Sequence, residues 1–474
     1  GGMRMEKNRQ KTESTQCQPE MQSAGASTQP TLNQHPLKEY SKYVTFNVMG
    51  MIGVSCYILA DTFFVSKALG AQGLAALNLA LPIFNAIRGI GLMMGMGGAT
   101  WYSIRKGQHA EEEANRIFSI VVTATFLCSL LFILAGVFFS SQIASAFGAD
   151  ESLLDLSGTY LKVLCCFAPF FMLNDVMICF IRNDGDPNLG MAAMVVGSLA
   201  NILLDYIFIF SFGLGLFGAA LATGVAPVIG ICLTLIHWTK PSHTLKFKLG
   251  HSEFSAKQTL TSLRSSLALG FPSFVMELAT GIVILVFNLL MLKEAGNTGV
   301  AAYGVIANIS YVVIAIYTGI AQGVQPLMSR AFGEGVMALV RKNLHYAVWT
   351  IAGVSVFLYG VLFFFSEGIT QIFNSEGNAE LQAIAVTGLK LYFLAVFFAG
   401  TNISMAIYFT STNRALPAHV ISLLRGLLLI VPAAFLLARL LGICGVWLSY
   451  PVTEGLVFLL AWIIYCVSRR KNVY

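Results

Sequence analysis

Carboxylic acids stand within several of the long apolar stretches of this sequence. They are Asp61, Asp175, Asp205, Glu277 and Glu454. A charged side chain at the centre of a membrane helix costs about 2.5–3.5 kcal/mol on the insertion scale, so each acid kept there is a candidate functional group. Basic residues occupy similar positions, namely Arg88, Lys162, Lys390 and Arg425. We expect Arg88 to neutralise one of the acids.

Asn201 and Asp205 have the most informative spacing. They are one helical turn apart, so their side chains share a helix face and can reach a common ligand. A carboxylate, an amide oxygen and a nearby hydroxyl form a hard oxygen site suited to Na⁺. The same groups could instead form a proton-binding network, or an interhelical hydrogen bond with no transported ion.

The other acids leave their alternatives open. Glu277 follows Pro272 by five residues, near an expected helix irregularity, and could face a central cavity. Asp175 could serve the cavity or a structural pair. Glu454 could act as a gate or pair with Arg425.

The composition decides the class of protein that carries these residues. Hydrophobic residues make up 56% of the chain and charged residues 11%, against about 25% charged in soluble domains. A helix needs roughly 20 apolar residues to cross a bilayer, and many segments reach that length. The alternating pattern of a membrane barrel is not visible. The sequence predicts an all-α membrane protein with about twelve transmembrane helices.

The predicted spans fall into two groups of six. They lie near 43–66, 74–103, 118–139, 158–181, 189–212, 214–238, 264–292, 299–328, 344–365, 384–410, 417–439 and 443–467. The predicted organisation is a disordered cytoplasmic tail (1–40), an N-terminal six-helix lobe with the cation site (41–238), a cytoplasmic linker (239–263), a C-terminal six-helix lobe (264–468) and a cytoplasmic tail (469–474).

Lys and Arg are distributed unevenly between the two sides of this arrangement. They concentrate in the tails and the even-numbered connections, whereas the opposite side holds only Lys67, Lys293 and Arg439. Cytoplasmic loops carry the excess of Lys and Arg, so both termini are predicted to be cytoplasmic. The net charge of +6 is then a topology signal, and no nucleic-acid partner is expected.

The two groups of helices are copies of one unit. Aligning Gly70 with Gly296 also aligns Gly97 with Gly323 without a gap. Because each copy has an even number of helices, the repeats are parallel and related by an axis along the membrane normal. Internal repeats around a central cavity are the usual build of secondary transporters.

The repeat shows that the polar residues belong to one half. At the aligned positions, Asp61, Asn201, Asp205 and Thr223 correspond to Phe287, Leu428, Pro432 and Tyr450. This asymmetry predicts an ion site in the N-terminal half. We expect the second half to act mainly as a wall of the cavity, with Glu277 its chief polar contribution.

Metal and cofactor chemistry is not expected. The nine cysteines lie almost entirely in apolar spans, without a metal-binding spacing, and the seven histidines do not cluster. Small buried hydrophobes explain such cysteines. The sequence predicts no cofactor and no metal beyond a possible Na⁺.

Two motifs resemble a known family. The segment ILADTFFVSKALGAQGLAALNLALPI at 58–83 resembles the start of the multidrug and toxic compound extrusion (MATE) family, and IRNDGDP at 181–187 resembles a bacterial, MepA-like or DinF-like branch. The resemblance covers roughly residues 40–468. The tenth span, FFAGTNISMAIYF, lacks the acid that a NorM-like branch carries there.

The resemblance implies a function and a set of site residues. It implies a secondary antiporter that exchanges Na⁺ or H⁺ for amphipathic, often cationic drugs by alternating access between V-shaped states of two lobes. The cation ligands would be Asp61, Asn201, Asp205 and Thr223, with Tyr160 nearby. Asp61, Asn174 and Glu277 are predicted to contribute to the substrate cavity. A monomer in the bacterial inner membrane, with small-molecule drugs and the bilayer as its partners, is expected.

Two other functions compete with this interpretation. A lipid-linked oligosaccharide flippase of the same superfamily should carry extra helices and several cavity arginines, whereas Arg88 and Arg425 are the only candidates seen. An intramembrane enzyme should carry paired catalytic groups at a helix junction, and none is recognised in the sequence. The chain is therefore not predicted to be an enzyme.

Overall fold

The protein is described here by a computed structural model covering residues 35–248, 255–374 and 377–471. Within those ranges the regular structure is helical and contains no strand, as the all-α prediction requires. Most of the predicted N-terminal tail lies outside the described residues. The part that is described corrects its boundary, because the first helix already begins at Pro36.

The N-terminal half contains six helices. They are α1 Pro36–Gly107, α2 Glu111–Ala146, α3 Glu151–Cys166, α4 Ala168–Asn183, α5 Pro187–Tyr206 and α6 Gly215–Thr234. A π-helical turn, Ile207–Ser211, extends α5, and a 3-10 turn, Leu235–Thr239, extends α6.

The C-terminal half follows the linker. Its helices are α7 Ala256–Gly333, α8 Met337–Phe364, α9 Ser366–Phe373, α10 Ala379–Tyr392, α11 Val396–Ser411, α12 Ala415–Leu423, α13 Ile430–Leu441 and α14 Ile443–Lys471. Short irregular turns at Phe393–Ala395 and Leu424–Leu428 join α10 to α11 and α12 to α13.

The two longest helices break at glycines that the repeat places in register. Helix α1 has 72 residues and α7 has 78, too long for one crossing. The backbone departs from helix at Gly70 (φ 60°, ψ −148°) and at Gly296 (φ 61°, ψ −151°). Glycine tolerates positive φ at no steric cost. Each long helix therefore consists of two legs, and the matching breaks agree with the internal repeat.

The number of spans agrees with the prediction of about twelve. By length and composition, ten helices of the described chain can cross a membrane, and a bent pair makes an eleventh. That count takes Ala256–Gly333 as one span, so dividing it at Gly296 gives twelve. The bent pair replaces the single helix predicted at 158–181. Its parts, Leu153–Cys166 and Ala168–Asn183, meet at 46°, because Pro169 lacks the N–H that would continue the helix.

The halves approach each other most closely where α1 and α7 cross. A Cβ on Gly97 would lie 1.8 Å from the backbone oxygen of Ser266, and one on Gly323 would lie 2.8 Å from Cα of Val44. Gly97 and Gly323 are repeat partners, so the crossing is nearly symmetrical. From Pro36 the chain forms one compact unit, and the division into two lobes remains a prediction.

Candidate functional site

The structure gathers the predicted cation ligands from four helices of the N-terminal half. Asp61 lies on the first leg of α1 and Tyr160 on α3. Asn201 and Asp205 lie near the end of α5, just before its π-helical turn, and Thr223 lies in α6. Asn201, Asp205, Thr223 and Tyr160 are buried, and Asp61 is half-buried.

The side chains of this group contact one another. The carboxyl groups of Asp61 and Asp205 lie within hydrogen-bonding reach. The Nδ2 of Asn201 donates to Oγ1 of Thr223 at 3.4 Å, and that hydroxyl donates to the backbone oxygen of Ala219 at 3.0 Å. Tyr160 also contacts Thr223. All five predicted side chains therefore converge.

Several oxygens of this site lack a hydrogen-bond donor among the described residues. They are Oδ1 of Asp61, both carboxylate oxygens of Asp205 and Oδ1 of Asn201. Asp205 is 0% exposed. Two carboxylates in contact in a buried site cannot both remain charged without a proton or a cation between them. The arrangement can thus hold a proton or a small cation that prefers oxygen ligands.

A transition-metal site is not formed in the described chain. No group of three His, Cys, Asp or Glu side chains is close enough there to hold a metal ion. The donors at Asp61 and Asp205 are two carboxylates supplemented by amide and hydroxyl oxygens, a set suited to a hard monovalent cation.

A cavity of about 360 Å³ lies beside this group and is lined by both halves of the chain. Asn174 and Glu277 line it, as predicted, and so does Thr223. Asp61 does not appear among the described lining residues, which corrects its assignment to the cavity. Its carboxyl group lies against that of Asp205, inside the N-terminal helix bundle.

Two ion pairs stand in the cavity wall. The Nε of Arg88 lies 4.0 Å from Oδ2 of Asp175, which confirms that Arg88 neutralises an acid. The Nη2 of Arg425 lies 2.7 Å from Oε1 of Glu454, and both residues are buried. Glu454 therefore has the Arg425 partner that was one of its two predicted roles, and a gating role stays a prediction. Asp175 both pairs with Arg88 and lines the cavity.

The C-terminal half contributes more polar groups to the cavity than expected. Arg425, Glu454, Tyr450 and Tyr392 line it together with Glu277, so the expectation that Glu277 is its chief polar contribution was wrong. Asn402 is a further polar residue of this wall that the repeat alignment of the four N-terminal ligands does not indicate. Its Nδ2 donates to Oε2 of Glu454 at 2.7 Å, and an amide inside an apolar span is the sequence signal for it.

Comparison with known proteins identifies the family. The family described as MatE matches residues 48–207 and 272–436, once in each half of the chain. The chain belongs to the MatE family. The Multidrug export protein MepA of Staphylococcus saprophyticus is 27% identical over 429 residues, covering 90% of this chain and 93% of the relative. MepA of Staphylococcus aureus (strain MRSA252) is 28% identical over 431 residues, with the same coverage.

The fold agrees with solved structures of the family. A multidrug resistance MATE transporter of the MOP superfamily, solved in an outward-facing conformation, superposes with a TM-score of 0.83 at 23% identity, covering 92% of this chain and 97% of the other. This MatE chain is therefore a multi-pass membrane protein with the MATE transporter fold.

Proposed function

We propose that this MatE protein is a secondary active multidrug efflux transporter. It exports amphipathic, often cationic organic compounds in exchange for Na⁺ or H⁺ by alternating access. The similarity to MepA proteins, which are multidrug export proteins, supports multidrug export. The cavity supports a small-molecule substrate, because its wall combines apolar area with a few charged groups.

Cation exchange is supported above all by the contact between the Asp61 and Asp205 carboxyl groups. Oxygens of both groups have no hydrogen-bond donor among the described residues. This pair takes up a proton or Na⁺, with Asn201, Thr223 and Tyr160 completing the site. Thr223 belongs to this group and also lines the cavity. Cation binding therefore moves the Thr223 side chain, which also faces the drug cavity. This movement links cation binding to drug binding.

The energy of one cation is sufficient for such an exchange. A monovalent charge that moves through 100 mV supplies about 2.3 kcal/mol. At about 1.4 kcal/mol per factor of ten, this drives a drug gradient of roughly 50-fold.

The charges of the cavity arginines bear on the flippase alternative. Arg88, Arg182 and Arg425 all line the cavity, one more than the sequence suggested. Arg88 and Arg425 are neutralised by Asp175 and Glu454, so they do not offer a free positive surface to a lipid phosphate. The balance favours drug export. In the proposed setting the protein is a monomer in the bacterial inner membrane with both termini cytoplasmic.

Transport in vesicles tests the proposal. Purified protein in proteoliposomes receives a Na⁺ gradient and a pH gradient in separate experiments, with a fluorescent cationic dye as the substrate. We expect one gradient to drive dye movement against its concentration and the other to have little effect. Failure of both gradients, with protein correctly inserted, would contradict cation-coupled export.

A further inference from the structure

The short connection between α4 and α5 joins two different parts of the molecule. Arg182 and Asn183 end α4, and Asp184 and Asp186 follow within the turn. The first two residues form hydrogen bonds that lead to the C-terminal half. The other two hold the linker that follows α6.

The contacts to the C-terminal half form a buried seal. The amides of Asn183 and Gln325 exchange two hydrogen bonds, at 3.0 and 3.1 Å. Arg182 donates from Nη1 to Oδ1 of Asn47 at 2.5 Å, and Asn47 donates to the backbone oxygen of Gly319 at 2.9 Å. All four side chains are at most 7% exposed. We call Asn47, Arg182, Asn183 and Gln325 the seal.

The seal lies near the ends of α1 and α7 that carry Arg105, Lys106 and Arg330, which we call the basic side. Gly107 ends α1, and a Cβ placed on it would lie 2.4 Å from the backbone oxygen of Arg330 in α7. Arg182 itself lines the cavity. Opening the cavity toward this end therefore requires the seal to separate.

Asp184 collects the contacts on the linker side. Its carboxylate lies 2.5 Å from Nζ of Lys106 and 2.8 Å from Nε2 of His237. It accepts hydrogen bonds from the Tyr102 hydroxyl at 2.8 Å and from the backbone N–H groups of Thr244 at 2.8 Å and Leu245 at 3.2 Å. The Thr244 hydroxyl donates to it as well.

The linker continues along the N-terminal half beyond this point. Lys240 pairs with Asp186 at 2.5 Å, and the backbone N–H groups of Lys246 and Lys248 donate to Asn115 and Ser119 at 2.7 and 2.9 Å. Leu245 is 0% exposed. The linker segment 240–248 is therefore held against the N-terminal half.

Asp184 remains charged under physiological conditions. Burial raises its pKa, but hydrogen bonds from His237 and Lys106 and the positive charge of Lys106 lower it more, and the net pKa lies well below its ordinary value. A carboxyl group whose pKa is lower in the folded than in the unfolded protein stabilises the fold at pH values above its unfolded-state pKa. That stability is lost only as the pH falls through the folded-state pKa. Lys106, His237, Tyr102 and Thr244 are the groups that face the carboxylate. The linker contact thus persists at cytoplasmic pH.

We propose that Asp184 is a positioning residue that couples the linker to the seal. Its carboxylate fixes the turn that carries Asn183 and Arg182, so the linker has to stay in place for the seal to close. A charged acceptor with several donors forms stronger hydrogen bonds than a neutral one. Movement of the linker is thereby transmitted to the interface between the halves. The role in transport rests on the proposed alternating-access function.

Two readouts that need neither drug nor ion gradient test this coupling. Trypsin cleavage at Lys246 and Lys248 in the purified full chain reports release of the linker. Labelling of Cys179 by a membrane-impermeant maleimide reports opening of the seal, because Cys179 lines the cavity and its Sγ lies 3.8 Å from Nη2 of Arg182. The other cysteines are replaced by serine, and labelling is measured from each side in oriented vesicles.

Asp184→Asn is the decisive variant. We expect both cleavage and labelling from the basic side to rise by at least about tenfold, because several charge-assisted hydrogen bonds are lost. Gln325→Leu should raise labelling alone, and Ser119→Ala should raise cleavage alone. Should Asp184→Asn not fold, Thr244→Val, which removes only one donor, should raise both readouts to a smaller extent.

The coupling is wrong if a folded Asp184→Asn protein releases the linker while Cys179 stays protected. Unchanged cleavage and labelling in that variant would show that Asp184 does not hold the linker. Either result leaves the vesicle transport experiment unaffected, so failure of the coupling and failure of the proposed function are distinguishable.

Discussion

Arg425 and Glu454 form a two-point ion pair inside the cavity wall. The Nη2 and Nε of Arg425 donate to Oε1 of Glu454 at 2.7 and 3.1 Å. Asn402 donates to the second carboxylate oxygen at 2.7 Å. Helices α11, α14 and the turn between α12 and α13 are thereby joined at one buried carboxylate. A cationic drug in the cavity meets a neutral pair here and not a free acid.

Removing one partner of this pair should destabilise the protein more than removing both. Arg425→Met or Glu454→Leu alone leaves a buried charge unpaired, which costs about 3–5 kcal/mol. The double variant Arg425→Met/Glu454→Leu should recover most of that loss. Thermal unfolding of the purified proteins in detergent measures the difference. A double variant as unstable as the sum of the single variants would show that the two side chains act independently.

Glu277 is the cavity acid for which the structure gives no ion pair within 4.0 Å among the described residues, although its charge acts on Arg88. Glu277→Gln should reduce transport of cationic drugs several-fold more than transport of neutral ones, because only the former gain from its charge. Cation binding in the N-terminal half should be nearly unchanged. Transport assays with matched cationic and neutral dyes measure the ratio.

The matched control is Glu367→Gln, an exposed acid in α9. It should leave transport of both dye classes intact. Equal loss for both classes in Glu277→Gln, together with loss of Na⁺ or H⁺ binding, would show that Glu277 belongs to the coupling site.

Gly97 determines how closely the halves approach. A Cβ at this position would lie 1.8 Å from the backbone oxygen of Ser266, which cannot move aside on its own. Gly97→Ala should separate α1 from α7, raise Cys179 labelling from the basic side and lower export by about tenfold or more. Gly353→Ala is the control, because a Cβ there would meet no described atom within 4 Å. Normal labelling and export in Gly97→Ala would mean that this crossing does not restrict the cavity.

Much of the fold could be predicted from the sequence, because it depends on local properties. Apolar length predicts the spans, and the repeat aligns Gly70 with Gly296, which share one backbone conformation. The break at Phe167 differs from the single span predicted at 158–181, because hydrophobic length does not reveal a kink; Pro169 is the local signal for it. Asn201 and Asp205 share a face because helical spacing alone requires it.

The relationships between distant segments could not be predicted in the same way. Apolar spacing does not determine which way Asp61 points, and its contact with Asp205 arises from the packing of α1 against α5. The partners of Asp184 come from α1, the turn after α6 and the linker. These contacts depend on tertiary structure, and periodicity carries no information about them.

Asp205→Asn should abolish export while the protein still inserts and folds. The substitution removes the ionisable group and keeps its size and most of its hydrogen bonding. Drug resistance of expressing cells and export by vesicles both measure the loss. Asp155→Asn, at an exposed acid of α3, should have no effect. A well-expressed Asp205→Asn protein with normal export would place the coupling site elsewhere.

Cation release on drug binding tests most directly whether the exchanged cation binds between Asp61 and Asp205. Purified protein is titrated with a cationic dye while bound ²²Na⁺ and released protons are followed in parallel. The wild type should lose bound Na⁺ or release protons as the dye binds. Asp61→Asn and Asp205→Asn should each abolish that signal, and Asp155→Asn should preserve it. A full signal in both variants would contradict the account.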